Sequence, residues 1–361
     1  MIEAISASFS HIFTVKVILM IIAGLFGGLI SGALPGLTAT MAVALLVPFT
    51  FTMSPTEGLI VLGAIYMACI YGGAFSAILV NTPGTPSSIG TTFDGYPMAK
   101  KGEGEQAILT ATFASAYGGL IGVLFLLLLS PPLASVALKF GPPEYFWMSV
   151  FGITIISSLA SKNLLKGFIG AAIGLLISTI GIAPIGGDVR FTAGYPQMQG
   201  GIELIVALIG FFCIPEALTM ISNRKRKFHL TEAERQRGIL LKTFKNVMKR
   251  QGNLLRSSLI GTIVGILPGA GGSVANLVAY NEAVRVSKTP EKFGTGIPDG
   301  IIATESSNNA VVGGGMIPLV TLGIPGAPPD AVLYGVLLLH GLRPGPELFT
   351  EYSDVIYTFI M

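Results

Sequence analysis

Long apolar runs alternate with short polar segments along the whole chain. The runs cover residues 13–34, 37–53, 58–80, 107–129, 145–160, 167–183 and 202–221, then 257–267, 270–280, 301–322 and 331–342, and a new one starts near Val355. Crossing a bilayer takes about 20 apolar residues in a helix, and most runs approach that length. Their punctuation is specific. Pro35-Gly36 and Pro268-Gly269 each interrupt an apolar run, Ser130-Pro131-Pro132 is expected to stop one, and a polar, Pro-rich stretch fills 81–106. Tyr145, Phe146 and Trp147 suit an interfacial aromatic belt. The pattern predicts an all-α polytopic membrane protein.

The punctuation is duplicated. Gly28-Leu29-Ile30-Ser31-Gly32-Ala33-Leu34-Pro35-Gly36 and Gly261-Thr262-Ile263-Val264-Gly265-Ile266-Leu267-Pro268-Gly269 share the pattern G-x-x-x-G-x-L-P-G, 233 positions apart. Gly72-Gly73 is followed after nine residues by Pro83-Gly84-Thr85-Pro86, as Gly314-Gly315 is by Pro325-Gly326-Ala327-Pro328. A period this long excludes a solenoid. Paired breaks in apolar segments are the mark of secondary transporters built from repeats with discontinuous or re-entrant helices. The GxxxG pairs Gly28/Gly32 and Gly261/Gly265 fit close helix packing rather than ligand contact.

Composition sharpens this picture. The 361 residues are 51% hydrophobic and 11% charged, with mean hydropathy +0.73, against about 25% charge in a soluble domain. Of 22 Lys and Arg, eleven fall in 223–256. The positive-inside rule makes this a cytoplasmic loop and removes any need for a nucleic-acid partner. Counting spans outward from it places the N-terminus outside, and the two repeats enter the membrane from opposite faces, an inverted-topology arrangement. No cleavage site follows the first apolar run, which is therefore expected to be a span and not a signal peptide. The expected organisation is a first transmembrane repeat (1–138), connecting transmembrane helices (139–222), the basic loop (223–256) and a second transmembrane repeat (257–361). Two cysteines in apolar runs imply no disulfide framework, and three scattered histidines offer no metal site. No HExxH, GxSxG, Walker loop or dinucleotide fingerprint is present, so neither enzymatic chemistry nor ATP hydrolysis is expected.

Candidate chemistry clusters at the breaks. Broken backbone at membrane depth persists only where protein or a water-filled cavity satisfies it. Asn81, Thr82, Pro83, Gly84, Thr85, Ser87 and Ser88 surround the first PGTP; Ser306, Ser307, Asn308 and Asn309 precede Pro325 and Gly326 of the second. These are the candidate substrate-binding residues. Thr38 and Thr40 follow the first LPG, and Ser273 and Asn276 the second; with Glu305, an acid inside an apolar stretch, they are the candidate ion-binding residues. No Lys or Arg lies in these motifs, so an anion would rest on helix N-termini. Ordinary capping and interhelical hydrogen bonding could also account for the hydroxyls and amides. Asp94, Asp299 and Asp330 lie in loop-like sequence and are expected to be solvated.

Four stretches carry a family resemblance: GxxxGxLPG near the N-terminus, YGGAFSAILVNTPGTPSSIGTTFDGYPMAKKGEG, GILPGAGGSVANLVAY, and ESSNNAVVGGGMIPLVTLGIPGAPPDAVL. Together they resemble TctA, the large membrane subunit of tripartite tricarboxylate transporters. The resemblance implies import of citrate or a related carboxylate across the bacterial inner membrane. It also implies a Na⁺ gradient as energy source with no other cofactor, a small membrane subunit and a periplasmic substrate-binding protein. Family members are longer, so the second repeat is expected to be incomplete here. Two other classes remain open from the residues: an anion channel using the same helix-end chemistry, and a non-transporting membrane scaffold.

Overall fold

A computed structural model describes residues 8, 12–141, 143–144, 146–147, 150–151, 154, 164–183, 186–203, 206–207, 209–222 and 238–361. The described residues are mainly helical. Helix α1 (Val15–Ala33) starts at Thr14, whose hydroxyl accepts from the Val17 N–H, and ends where Leu34 turns extended ahead of Pro35. Helix α2 (Ala39–Thr50) restarts at the N-cap Thr38, whose hydroxyl accepts from Met41 N. A Ser54/Glu57 capping box opens α3 (Pro55–Val80), with Pro55 at the first helical position, where a missing N–H costs nothing. A short 3₁₀ turn (Pro86–Ser88) leads to α4 (Thr91–Met98), a π turn (Ala99–Glu103) and α5 (Gly104–Ala137).

Helix α6 (Leu164–Ser178) precedes a small antiparallel hairpin pairing Gly181 with Arg190 and Ile182 with Val189. Helix α7 (Ile214–Ser222) follows. The second half contains α8 (Ile239–Met248), α9 (Gln251–Ile266), α10 (Gly271–Val286), α11 (Pro298–Leu322), α12 (Pro328–Leu339), α13 (Glu347–Thr350) and α14 (Ser353–Ile360). The basic segment is thus part helix from Ile239 onward; its first part, 223–237, and most of the predicted span 145–160 lie outside the described residues. Among the described residues, Val15–Ala33, Pro55–Val80 and Thr91–Ala137 are helical stretches long and apolar enough to cross a membrane.

The central element is α11. It is buried along Gly300–Thr321 and packs against both α5 and α9, which also touch each other. Glycines permit this closeness. A Cβ added to Gly118 or Gly122 of α5 would fall under 3.0 Å from the α11 backbone at Ser306 or Ala310.

Contacts in the first half recur in the second. Gly28 and Gly32 of α1 press on the backbone of Ile65 and Cys69 in α3; Gly261 and Gly265 of α9 press on Ser307 and Val311 in α11. The glycines are 233 positions apart, and their partners are 242 apart in both cases. Gly72 meets Leu29 and Gly32 as Gly314 meets Thr262 and Gly265; Gly84 meets Gly32 and Gly73 as Gly326 meets Gly265 and Gly315. The breaks match in backbone too. Gly36 and Gly269 have φ of 102° and 84°, while α3 ends at Asn81 and α11 at Gly323, both left-handed.

Three expectations change. The Ser130-Pro131-Pro132 stop is absent, because α5 runs on to Ala137. A proline φ is itself close to helical, so two missing donors weaken the turn without ending it. Asp94 is not solvated but fully buried. Its carboxylate accepts from the Tyr280 hydroxyl (2.9 Å) and from the N–H groups of Gly294 (3.0 Å), Gly296 (2.8 Å) and Ile297 (3.0 Å), tying α4 to the turn before α11. Asp330 is likewise buried, because its side chain closes the turn into α12 by accepting from Ala327 N at 2.8 Å. Asp299 stays at a partly exposed edge, where Arg250 pairs with it at 2.9 Å.

Candidate functional site

Each Pro-Gly break releases a helix start. The break after α1 frees the first turn of α2, the one after α3 frees the Pro86–Ser88 turn, the one after α9 frees α10, and the one after α11 frees α12. All four starts converge on one cavity of about 420 Å³. Its wall contains Thr38 and Thr40 from the first break, Thr85 and Ser87 from the second, Gly269 to Ser273 from the third, and Ala327 to Pro329 from the fourth. Tyr66 of α3 and Asn308 of α11 complete the polar lining, with Ile70, Val311 and Val312 apolar.

The chemistry of this lining follows from helix ends. The first N–H groups of a helix lack partners within it and carry the positive end of its dipole. Thr38 uses its hydroxyl to cap one of them, at 3.2 Å from Met41 N. Among the described residues no Lys or Arg borders the cavity. The Asn308 side chain is 1% exposed, and neither its Oδ1 nor its Nδ2 has a hydrogen-bond partner among the described residues. A buried amide without partners is uncommon and calls for a cause; beside a cavity, the cause is a group that enters it. Asn276 reaches the same wall differently: its Nδ2 donates to the Ser87 carbonyl, while its Oδ1 is unpartnered among the described residues.

The sequence-derived candidates divide accordingly. Thr38, Thr40, Ser273, Thr85, Ser87 and Asn308 are brought together around the cavity. Ser88 stands behind it, bonded to Thr85 (O at 2.8 Å, N at 3.3 Å). Asn81 and Thr82 form the end of α3, with Thr82 N donating to Ser76 O at 3.3 Å. Pro83 and Gly84 form the turn beyond it, Gly84 packed on Gly32; Pro325 precedes Gly326, whose carbonyl accepts from Gly269 N at 2.8 Å. Ser306 and Ser307 bond back to carbonyls of their own helix, at Ile302 (2.7 Å) and Thr304 (2.9 Å). Asn309 faces another pocket, lined by Met67, Tyr71 and Leu120 among others, and donates to Met67 O at 3.4 Å.

Glu305 lies fully buried and away from the cavity wall. One carboxylate oxygen accepts from Thr91 and the other from Ser115 at 2.9 Å, with Thr304 also bonded to Thr91 at 3.1 Å. This is an all-oxygen cluster joining α4, α5 and α11. Sequence reasoning missed Tyr66 and Asp330 as neighbours of the cavity. Tyr66 carried no polar signal within an apolar run, but aligning the repeats brings it out, since it occupies the position of Asn308. Among the described residues, no group of three or more His, Cys, Asp and Glu is placed to hold a metal ion.

Four chain breaks meeting at one cavity, whose largely apolar wall carries a few hydroxyls and an amide, define a polytopic membrane protein of transporter type. The chain belongs to the Tripartite tricarboxylate transporter TctA family, which matches residues 18–361. It is 37% identical over 365 aligned positions to an uncharacterized 52.8 kDa protein of Agrobacterium vitis, described as lying in the TAR-I ttuC' 3' region; all of this chain and 71% of the relative are covered. A second A. vitis protein, uncharacterized and described as lying in the TAR-II ttuC' 3' region, is 38% identical over 100 residues, 28% of this chain and 41% of that protein. No solved structure matches. Family membership makes the chain a membrane-embedded subunit of a tricarboxylate transporter.

Proposed function

We propose that this chain is the translocating subunit of an ion-coupled carrier that imports a di- or tricarboxylate such as citrate. The observation that carries this reading is the 420 Å³ cavity, where four broken-helix starts converge with no basic side chain among the described residues. A multiply charged anion buried there needs compensation worth several kcal/mol per charge. Helix N-termini supply part of it. A co-bound cation supplies the rest, and Na⁺ is the ion proposed. Thr38, Thr40, Thr85, Ser87, Ser273 and Asn308 contact the substrate or its cation directly. Asn276 and Glu305 act from behind the wall, Glu305 through its oxygen cluster with Thr91 and Ser115.

Coupling follows from mutual dependence. If anion and cation each improve the other's binding, the two affinities change by the same factor. The halves are proposed to be inverted repeats related by a two-fold axis in the membrane plane. The contact from Asn309 to Met67 supports this, because the two residues are repeat counterparts 242 positions apart. A residue touching its own counterpart is what a nearby two-fold axis produces. The proposed setting is the bacterial inner membrane, with a small membrane subunit, a periplasmic substrate-binding protein and the 223–256 segment on the cytoplasmic face.

A map of the purified protein in citrate and NaCl tests the assignment. Density for the carboxylate is expected within hydrogen-bonding reach of Ser87, Ser273 and Asn308. Citrate bound only at the pocket near Tyr71 and Asn309 would refute it.

A further inference from the structure

The two breaks that follow the long helices α3 and α11 are built alike except at one position. Ser88 of the first half and Asp330 of the second are counterparts, 242 residues apart. Each side chain closes its turn in the same way. Ser88 Oγ accepts from Thr85 N at 3.3 Å, and Asp330 Oδ2 accepts from Ala327 N at 2.8 Å; Thr85 and Ala327 are themselves counterparts. Each also fills the space over a glycine. A Cβ on Gly73 would come within 2.6 Å of Ser88 Oγ, and one on Gly315 within 2.5 Å of Asp330 Oδ2. A neutral hydroxyl therefore suffices to cap this turn, and what Asp330 adds to the first half's arrangement is a hydrogen bond from the Tyr66 side chain; a neutral acceptor would serve that bond too, so neither contact requires the charge.

That charge is costly where it stands. Asp330 is 0% exposed; the Tyr66 side chain and the Ala327 and Gly326 backbone bond to its carboxyl, its Oδ1 lacks a partner of ordinary geometry among the described residues, and no cation faces it there. The described ion pairs involve Glu57, Asp299 and Glu282, not Asp330. A buried, unpaired carboxylate loses several kcal/mol of solvation, and such groups persist where a counter-charge binds. The side chain beside it is Tyr66, which lines the cavity together with Asn308. Asn308 Oδ1 is also unpartnered among the described residues. Carboxylate, phenol and amide carbonyl oxygens form a donor set suited to a hard cation.

We propose that Asp330 is the anionic ligand of a Na⁺ site that shares the Tyr66–Asn308 wall with the carboxylate cavity, a site present in the second repeat and not in the first. This rests on the carrier reading for the neighbouring anion, but the cation site is testable without it. Because only one repeat carries the carboxylate, the cation binds asymmetrically although the breaks are duplicated.

The test uses the purified full chain without substrate, titrated with NaCl against choline chloride at constant ionic strength, with thermal unfolding as readout. The wild type should show a saturable Na⁺-specific rise in Tm. D330S installs the first repeat's own residue, so the turn keeps its cap; D330N keeps the shape and an acceptor oxygen. D330N, which keeps an acceptor for Tyr66, should melt near the wild type in choline and D330S somewhat below it, and both should require about tenfold more Na⁺ or worse for the same rise. S88A, which alters only the first-repeat turn, should keep the wild-type Na⁺ response. Wild-type half-saturation in D330S or D330N, or no Na⁺-specific rise in the wild type, would overturn the proposal. If D330S does not fold, D330N decides; if neither folds, the claim that a neutral residue suffices here is refuted, and the proposal with it. A separate citrate titration reports on the carrier reading: absence of any citrate effect with the Na⁺ effect intact would sink that reading and leave the cation site standing.

Discussion

Gly261→Ala should leave little folded protein, whereas Gly252→Ala, one end of the same helix away, should melt like the wild type or slightly above it. A Cβ at Gly261 would fall under 3.0 Å from the carbonyl oxygen, carbonyl carbon and Cα of Ser307, all backbone atoms of α11. Flexible side chains could move aside, but a buried helix backbone cannot without separating α9 from α11 along its length. Overpacking a core costs about 1–3 kcal/mol when side chains can adjust, and the cost here should lie at or above that range. Gly252 has nothing within 4 Å of an added Cβ, so only the gain in helix propensity applies, about 0.8–1.0 kcal/mol at most. Gly28→Ala should behave like Gly261→Ala, because Gly28 presses on Ile65 in the matched way. Yield of monodisperse protein and Tm in detergent measure all three. Equal stability of the 261 and 252 variants would mean that α9 and α11 do not pack as described.

Asn308→Ala should fold normally and lose substrate affinity by about 10- to 100-fold, the equivalent of about 1.4–2.7 kcal/mol, in line with hydrogen bonds to charged groups. Folding should survive because the amide has no protein partner among the described residues to strand. The apparent Na⁺ affinity measured with citrate present should fall as well, because each ligand's gain from the other is the same coupling. Asn276→Ala is the informative contrast. Its Nδ2 holds the Ser87 carbonyl, so removing it should loosen the first PGTP turn and lower stability as well as affinity. Paired citrate and Na⁺ titrations followed by Tm separate the two cases. Loss of citrate binding in Asn308→Ala with an unchanged Na⁺ response would take Asn308 out of a coupled site.

Much of this architecture was legible in the sequence because the duplicated motifs are backbone requirements. Gly36 and Gly269 need positive φ, and Gly28, Gly32, Gly261 and Gly265 need close approach. Only glycine meets either demand cheaply, so the chain announces them. The breaks likewise pointed to Thr38, Ser87, Ser273 and Asn308, which do share one cavity. Burial of single polar residues was not legible in the same way. Asp94 and Asp330 stand among Gly, Pro and polar neighbours that read as solvent-facing loop, and only tertiary packing encloses them. Asn81 and Asn309 fit the polar pattern of the motifs but face elsewhere, since sequence adjacency to a break does not fix side-chain direction. Tyr66 was hidden by the opposite effect, an amphipathic residue inside an apolar helix. The Pro131-Pro132 pair misled because proline removes donors without always ending a helix.

Ion-coupled carboxylate import through the cavity where the four breaks meet is the activity proposed for this chain. Its most direct measurement is citrate uptake by sealed right-side-out vesicles from cells producing this chain with the small membrane subunit and binding protein proposed as partners. With equal citrate on both sides, an inward Na⁺ gradient should drive accumulation above the external concentration. Collapsing that gradient with a Na⁺ ionophore should abolish it, and Asn308→Ala should reduce it. Citrate that only equilibrates, at a rate indifferent to Na⁺, would contradict the account and identify a passive anion pathway instead.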